Sequence, residues 1–249
     1  MQNILIALPM VNVSPHREYT LECENTWVPL VKKMGYDVIF TGSKNVKEKY
    51  VIEGDKFYTN TNDAFEFLLY KRVMHLIDWV LEENKYSHVF FVDNDAFLHP
   101  IRFHIEMINL FRTFKEIDYM GCAWPYQSFN PHVKFTKEVY QKEVWAAGSA
   151  MFFSTKSLEI FKKNYREEDY STISKGADDW IMGDVLYNQG IKLLHNNSIC
   201  HESNWKRVIY DPHGTGTPDI TDKNSHLFLQ HYCHNHMQEI MMKLNLVDY

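Results

Sequence analysis

Two carboxylates one residue apart, Asp93 and Asp95, stand at the end of the run His88-Val89-Phe90-Phe91-Val92. The run is short, β-branched and aromatic, which reads as a fully buried strand. Acids so close together repel each other, and burial raises their pKa values unless a cation lies between them. In an open α/β sheet, the carboxyl end of a strand is also where ligands bind. The chemistry that suits this pattern is a hard divalent cation held by Asp oxygens, with phosphate oxygens and water completing its shell. The competing reading is an Asn/Asp turn that closes the strand.

A second acidic pair, Asp178-Asp179, opens a helical stretch. Acids in a first turn meet the helix dipole and free N–H groups, so capping accounts for them. Alternatively, one carboxylate points into a cleft as a general base. Trp145-Ala146-Ala147-Gly148-Ser149-Ala150 is small where a strand start is usually bulky. Either strand packs tightly on helix there, or room is left for a sugar ring or phosphate against the backbone. Near the C-terminus come His231, Cys233, His234 and His236, with Cys200-His201 upstream. Their spacing does not match the usual pairs of a structural zinc site. A single His completing an Asp-Asp metal site fits better than a zinc cluster. No Gly-rich phosphate loop and no nucleophile-elbow serine occurs.

These residues need a frame. Asn3 to Met10 reads as a first buried strand, Leu21 to Lys33 as a helix ending at Gly35, and Tyr36 to Thr41 as a second strand. This β-α-β opening implies a right-handed parallel unit. A charged segment from Lys44 to Lys56 follows, then a helix from Thr61 to about Asn84 with Phe67, Tyr70, Met74, Ile77 and Leu81 on one stripe. Beyond the acidic strand come a short helix at Asn109–Lys115, a strand at Asp118–Trp124 and an aromatic, polar loop at Pro125–Glu143. A strand at Val144–Ser154, helices at Thr155–Asn164 and Ala177–Gln189, and a strand at Ile191–Leu194 complete the middle. Asn196–Thr221 reads as a polar loop, Ser225–His236 as a strand running into histidines, and Met237–Leu246 as a tail helix.

The 249 residues, 45% hydrophobic and 15% aromatic, suffice for one α/β domain with a full core. No linker divides them, so a single domain over 1–249 is expected. Within it, three stretches are expected: 1–124, 125–236 and a tail at 237–249. The net charge of −6 and the lack of a basic stripe argue against a duplex nucleic-acid binder. No apolar run approaches a membrane span, and no basic segment precedes the first strand. A soluble, cytoplasmic protein with free buried thiols at Cys23, Cys122, Cys200 and Cys233 is therefore expected.

Taken in order, several stretches resemble the metal-dependent GT-A glycosyltransferases of the Fringe, β-1,3-galactosyltransferase and core 1 galactosyltransferase group. The resemblance begins with Arg17 and Thr26-Trp27 in the first helix. It continues through Phe67-Leu68-Leu69-Tyr70-Lys71 and Trp79 to the Asp93-Asn94-Asp95 motif. It then takes in Trp145 to Ala150 followed by Phe152-Phe153-Ser154, the run Asp178-Asp179-Trp180-Ile181-Met182-Gly183, and Leu229-Gln230-His231-Tyr232. Ser149 stands where the group has a second glycine, and the membrane anchor and secretory cysteine pattern of the animal enzymes are missing.

What the resemblance implies is a Rossmann-like nucleotide-diphospho-sugar transferase fold with a mixed, mostly parallel sheet flanked by helices. It implies a nucleotide-sugar donor, most often a UDP-sugar, and Mn²⁺ or Mg²⁺ on the diphosphate. Asp95, Asp93 and His231 would be the metal ligands. Asn94, Lys71, Trp145, Gly148 and Ser149 would contact the donor, and Trp180 the acceptor. Transfer would go with inversion, with Asp179 as base and Asp178 as the fallback. The acceptor stays open among glycan, protein, lipid and modified nucleobase. Two other readings remain: a retaining enzyme of the glycogenin-like type, and a non-catalytic sugar- or nucleotide-binding protein of the same fold.

Overall fold

The computed structural model describes residues 2–61, 69–123, 145–170, 178–196, 198–200, 220–222, 225–230, 233 and 236–246, with the backbone alone at 69–71, 123, 170, 178 and 200. An eight-stranded sheet runs through its centre. Its strands are β1 (Ile4–Pro9), β2 (Asp37–Ser43), β3 (Tyr50–Glu53), β4 (Lys56–Thr59), β5 (His88–Val92), β7 (Tyr119–Ala123), β8 (Ala146–Ser154) and β9 (Leu194–His195), in the order β3-β4-β2-β1-β5-β8-β7-β9. The pairs β1–β2, β1–β5, β2–β4 and β7–β9 are parallel, while β3–β4, β5–β8 and β7–β8 are antiparallel. A second sheet joins β6 (Phe97–Leu98), β10 (Ile199–Cys200) and β11 (Leu229–Gln230) in the order β10-β11-β6.

The centre is apolar on both faces because helices cover both. Along β1, Ile4, Ile6 and Leu8 point to one layer and Leu5 and Ala7 to the other. The first layer holds α1 (His16–Asn25), α2 (Trp27–Lys33), α4 (Pro100–Thr113) and α7 (Met237–Lys243). The second holds α3 (Leu69–Glu83), α5 (Thr155–Asn164) and α6 (Asp178–Asn188). This is the mixed α/β architecture expected from the sequence.

The differences from expectation have local causes. The first helix starts earlier, at His16, and breaks at Thr26, so the single helix expected over Leu21–Lys33 is two. The charged segment ends in the β3–β4 hairpin, which turns at Gly54 with φ +64°, a conformation that favours glycine. The short helix expected at Asn109 begins at Pro100, a residue suited to a first helical turn, with His99 as N-cap. Gly190, at φ +81°, closes α6 as expected. The loop expected at Pro125–Glu143 lies outside the described residues, as does most of Asn196–Thr221. Among the described residues, no helix is long and apolar enough to cross a membrane.

Two histidines are walled into this core. His88 opens β5 with its ring stacked on Phe152, and His99 caps α4; each is 7% exposed. Burial disfavours their charged forms and lowers both pKa values to about 4. As pH falls below about 6.5, the unfolded chain takes up these protons first, so stability is lost progressively toward pH 4. Urea unfolding is expected to show roughly 1–2 kcal/mol lost per histidine between pH 7 and 5. His99→Asn, which keeps a capping acceptor, should flatten that slope; an unchanged slope would assign the acid sensitivity elsewhere.

Candidate active site

The chemistry gathers where β5 surfaces. Asp93 donates its N–H to the Ser149 carbonyl at 3.1 Å, extending the β5–β8 ladder one step past Val92 and Ala150. That ladder places the small-residue start of β8 beside the acidic turn. Gly148 then donates its N–H to Asp179 Oδ2 at 3.1 Å, and Trp180 N–H meets Asp179 Oδ1 at 2.7 Å. A side chain at 148 would begin 3.4 Å from Asp179 Oδ2, so the missing Cβ leaves the carboxylate its seat. Asp179 thus reaches the Asp93 side of β8 from the first turn of α6. Burial pushes its pKa up, the Asp93 charge adds to the rise, and the Trp180 and Gly148 N–H groups oppose it, leaving it at about 6.

The pocket in front is a narrow cleft at the carboxyl ends of the parallel strands. Pro9, Thr41, Val73, Phe91, Asp93, Gly148 and Met151 are among the residues lining it. A larger groove, lined by Lys156, Glu159, Lys162 and Lys163, lies beside Tyr86 and Thr155, at the opposite end of β5 and β8. It holds no pair of carboxylates, and the chemistry favours the narrower cleft.

The middle residue of the acidic motif does something else. Asn94 is 3% exposed; its Nδ2 donates to the His16 carbonyl and to Thr20 Oγ1, both at 3.0 Å. Cys23 Sγ donates to the Asn94 carbonyl, and Trp27 Nε1 to the Ala96 carbonyl. Asn94, expected among the donor contacts, has its side chain turned toward α1, where it pins the turn. Asp93 and Asp95, on either side of it, are each partly exposed. Asp95 lies close enough to Tyr19 for its charge to help raise that phenol's pKa, after burial.

The other expected residues divide in the same way. Gly148 lines the cleft, and Trp145 is half-buried just before β8. Ser149 is buried, its backbone engaged by Asp93, and Trp180 is 9% exposed. Lys71, Asp178 and His231 lie outside the described side chains. Cys233, two residues after His231, donates its N–H to the Asp95 carbonyl at 2.7 Å, which ties the C-terminal segment to the acidic turn.

Two supporting residues carry no motif. Arg72, buried on α3, donates to the Thr41 carbonyl and to Ser43 Oγ, fastening the rim of the cleft. The Tyr119 hydroxyl accepts the Ala146 N–H at 2.6 Å and anchors the start of β8. Arg72 lies off the apolar stripe expected for its helix, so the sequence did not mark the first. Nothing local marked the second.

Asp93 and Asp95 supply two hard oxygen donors on one turn, a set that suits Mn²⁺ or Mg²⁺. Among the described residues, no group of three or more His, Cys, Asp or Glu could hold a metal, so a third protein ligand would come from beyond them.

No protein-family model and no curated protein matches this sequence. Among solved structures, the fold is similar to that of a glycosyltransferase involved in the glycosylation of the major capsid of PBCV-1. The TM-score is 0.52 at 13% identity, covering 98% of this chain and 99% of the other. A197 from STIV matches at TM-score 0.35 and 13% identity, over 64% of this chain and 68% of its own.

The role found for Asn94 is testable. Asn94→Asp puts a carboxylate against the His16 carbonyl, and urea unfolding is expected to show a loss of about 1–3 kcal/mol or more. Unchanged stability would mean that the inward hydrogen bonds do not hold the turn.

Proposed function

We propose that this protein is a metal-dependent glycosyltransferase that moves a sugar from a nucleotide-diphosphate sugar to an acceptor hydroxyl with inversion. A UDP-sugar is the donor class. The observation that carries the reading is the convergence of Asp93 and Asp179 across Gly148, at the carboxyl ends of parallel strands. The likeness of the whole fold to a glycosyltransferase supports it.

In this reading, Asp95 and Asp93 hold the cation, with His231 as third ligand. Bound Mn²⁺ or Mg²⁺ supplies Lewis-acid neutralisation of the charge that builds up on the departing diphosphate. The acidic turn would face the diphosphate, and Gly148, which lines the cleft without a side chain, would leave room for the sugar. Asp179 takes the proton from the attacking hydroxyl. Its raised pKa suits this role: a base is most effective when its pKa lies near the working pH. The Gly148 and Trp180 N–H groups fix the carboxylate's orientation and leave lone pairs on both oxygens. Asp178 stands next in sequence as the alternative base, Lys71 and Trp145 as donor contacts and Trp180 as an acceptor-side wall. The acceptor is a glycan, protein, lipid or modified nucleobase.

Purified protein is expected to gain thermal stability with a UDP-sugar and Mn²⁺ together, by about 2.7 kcal/mol at a hundredfold excess over Kd. Asp93→Ala and Asp95→Ala should each abolish that gain. Asp179→Asn should lower turnover by roughly 10²–10⁴-fold while donor binding survives. With wild type, kcat should rise with pH on its acidic limb as Asp179 loses its proton, with a midpoint below about 6, because a cation on Asp93 would offset the neighbouring charge that helps raise the Asp179 pKa. Donor binding unaffected by metal, or full turnover in Asp179→Asn, would contradict the reading. The product anomer, read by NMR, separates inversion from retention.

A further inference from the structure

Strand β8 keeps step with one neighbour and not with the other. Along β5 its register is regular from His88–Ser154 to Val92–Ala150, and the Asp93–Ser149 bond continues it. Along β7 it follows Tyr119–Phe153, Met120–Phe152 and Gly121–Met151, and then breaks. The next pair is Ala123–Ala146, where an unbroken ladder would bring Ser149 opposite Ala123. Between these pairs β7 uses one residue, Cys122, and β8 uses four, Ala147 to Ala150. Such a bulge bends its strand and re-aims the groups it carries. Here it carries Gly148, whose N–H meets Asp179, and Ser149, whose carbonyl takes the Asp93 N–H.

Gly121 stands at the neck of the bulge. Both sides of the neck, Ala146 and Ala150, close on it. A Cβ at 121 would fall well inside the van der Waals radius of Ala146 Cβ and 2.9 Å from the Ala150 carbonyl oxygen. Neither atom is the far end of a flexible side chain, so a methyl group there must push β8 itself. On its other side β7 is paired to β9, and the Gly121 carbonyl accepts the Asn196 N–H at 2.9 Å. Two residues back on the same face of β7, Tyr119 fastens the outer side of the neck. Its hydroxyl accepts the Ala146 N–H at 2.6 Å, and its ring stacks on Phe153 with centroids 4.9 Å apart. Tyr119 and Ala146 are buried in the layer that carries α6, the helix of Asp179.

We infer that Gly121 is a positioning residue for the Asp179 carboxylate. By letting Ala146 and Ala150 close on β7, it forms the bulge that presents the Gly148 N–H. Gly121 is not among the residues that line the cleft, and it acts through β8. The inference rests on the reading of Asp179 as the base.

The test is the Gly148 amide of the metal-free full chain, followed by proton–nitrogen NMR and hydrogen exchange. Melting temperature is measured alongside, as is Mn²⁺-supported release of UDP from the UDP-sugar that most stabilises the wild type. In the wild type the Gly148 proton should lie downfield, as a bond to a carboxylate requires, and exchange slowly. In Gly121→Ala that downfield position should be lost, and exchange should speed up by about tenfold or more. Its kcat should fall by roughly tenfold to a hundredfold, with the donor KM within about twofold of wild type. Adding Ala146→Gly removes the nearest obstructing carbon and should restore most of both. Should Gly121→Ala fail to fold, Tyr119→Phe, which removes only the acceptor for the Ala146 N–H, should show the same changes in smaller degree. An undisturbed Gly148 amide in the folded variant overturns this inference alone. So does a double variant no better than Gly121→Ala, since a general loosening and not the neck would then be at work. A displaced amide with kcat unchanged overturns the reading of Asp179 as base together with this inference.

Discussion

The antiparallel pairing of β5 with β8 is the constraint on which the site depends. β1, β2 and β4 run parallel, as does β5, and their carboxyl ends form one edge of the sheet. Had β8 continued that pattern, its amino-terminal end would lie at the far edge. Because β8 runs the other way, its small-residue start arrives where β5 ends. The Asp93–Ser149 bond closes the register, and Gly148 offers its N–H to the carboxylate at the head of α6. Two acids far apart in sequence are brought together by one strand direction. Their mutual repulsion is opposed by two backbone N–H groups, not by a basic side chain, among the described contacts of Asp179. A carboxylate held this way titrates at about 6, nearer neutral pH than an ordinary carboxylate.

Behind the turn, polar groups do the holding. Asn94 is buried and satisfied by α1, so its position between two acids reflects anchoring from within. A buried amide that lost those partners would bear its full desolvation cost, which makes the turn's shape specific. The small sheet adds a second support: β6 follows the turn directly and pairs with β11, so the chain just before His231 is tied to the chain just after Asp95. The acids, the helix behind them and the C-terminal segment thus form one mechanical unit.

Much of this was legible from the sequence, and the reasons are particular. Val89 to Val92 announces a buried strand because four apolar residues in a row have no other comfortable place, and Asp93 after them is conspicuous. Ala146 to Ser154 and the two helices after it are likewise marked by apolar runs and punctuated by Ser154 and Gly190. The β3–β4 hairpin escaped because it lies at the sheet edge, where polar residues are tolerated and alternation is weak. The early start of α4 escaped because Pro100 reads as a breaker until its place at a helix start is known. The direction of Asn94 could not be read at all: sequence gives the order of side chains along a turn, but not which of them faces the helix behind.

The central claim is that Asp93 and Asp179 share one electrostatic environment in the cleft. Carbon-13 NMR of labelled aspartates, titrated with and without Asp93→Asn, tests it most directly. The account predicts that Asp179 titrates at about 6 in the wild type and shifts toward the ordinary carboxylate range when the neighbouring charge is removed. An Asp179 that titrates at the same pH in both proteins would contradict it.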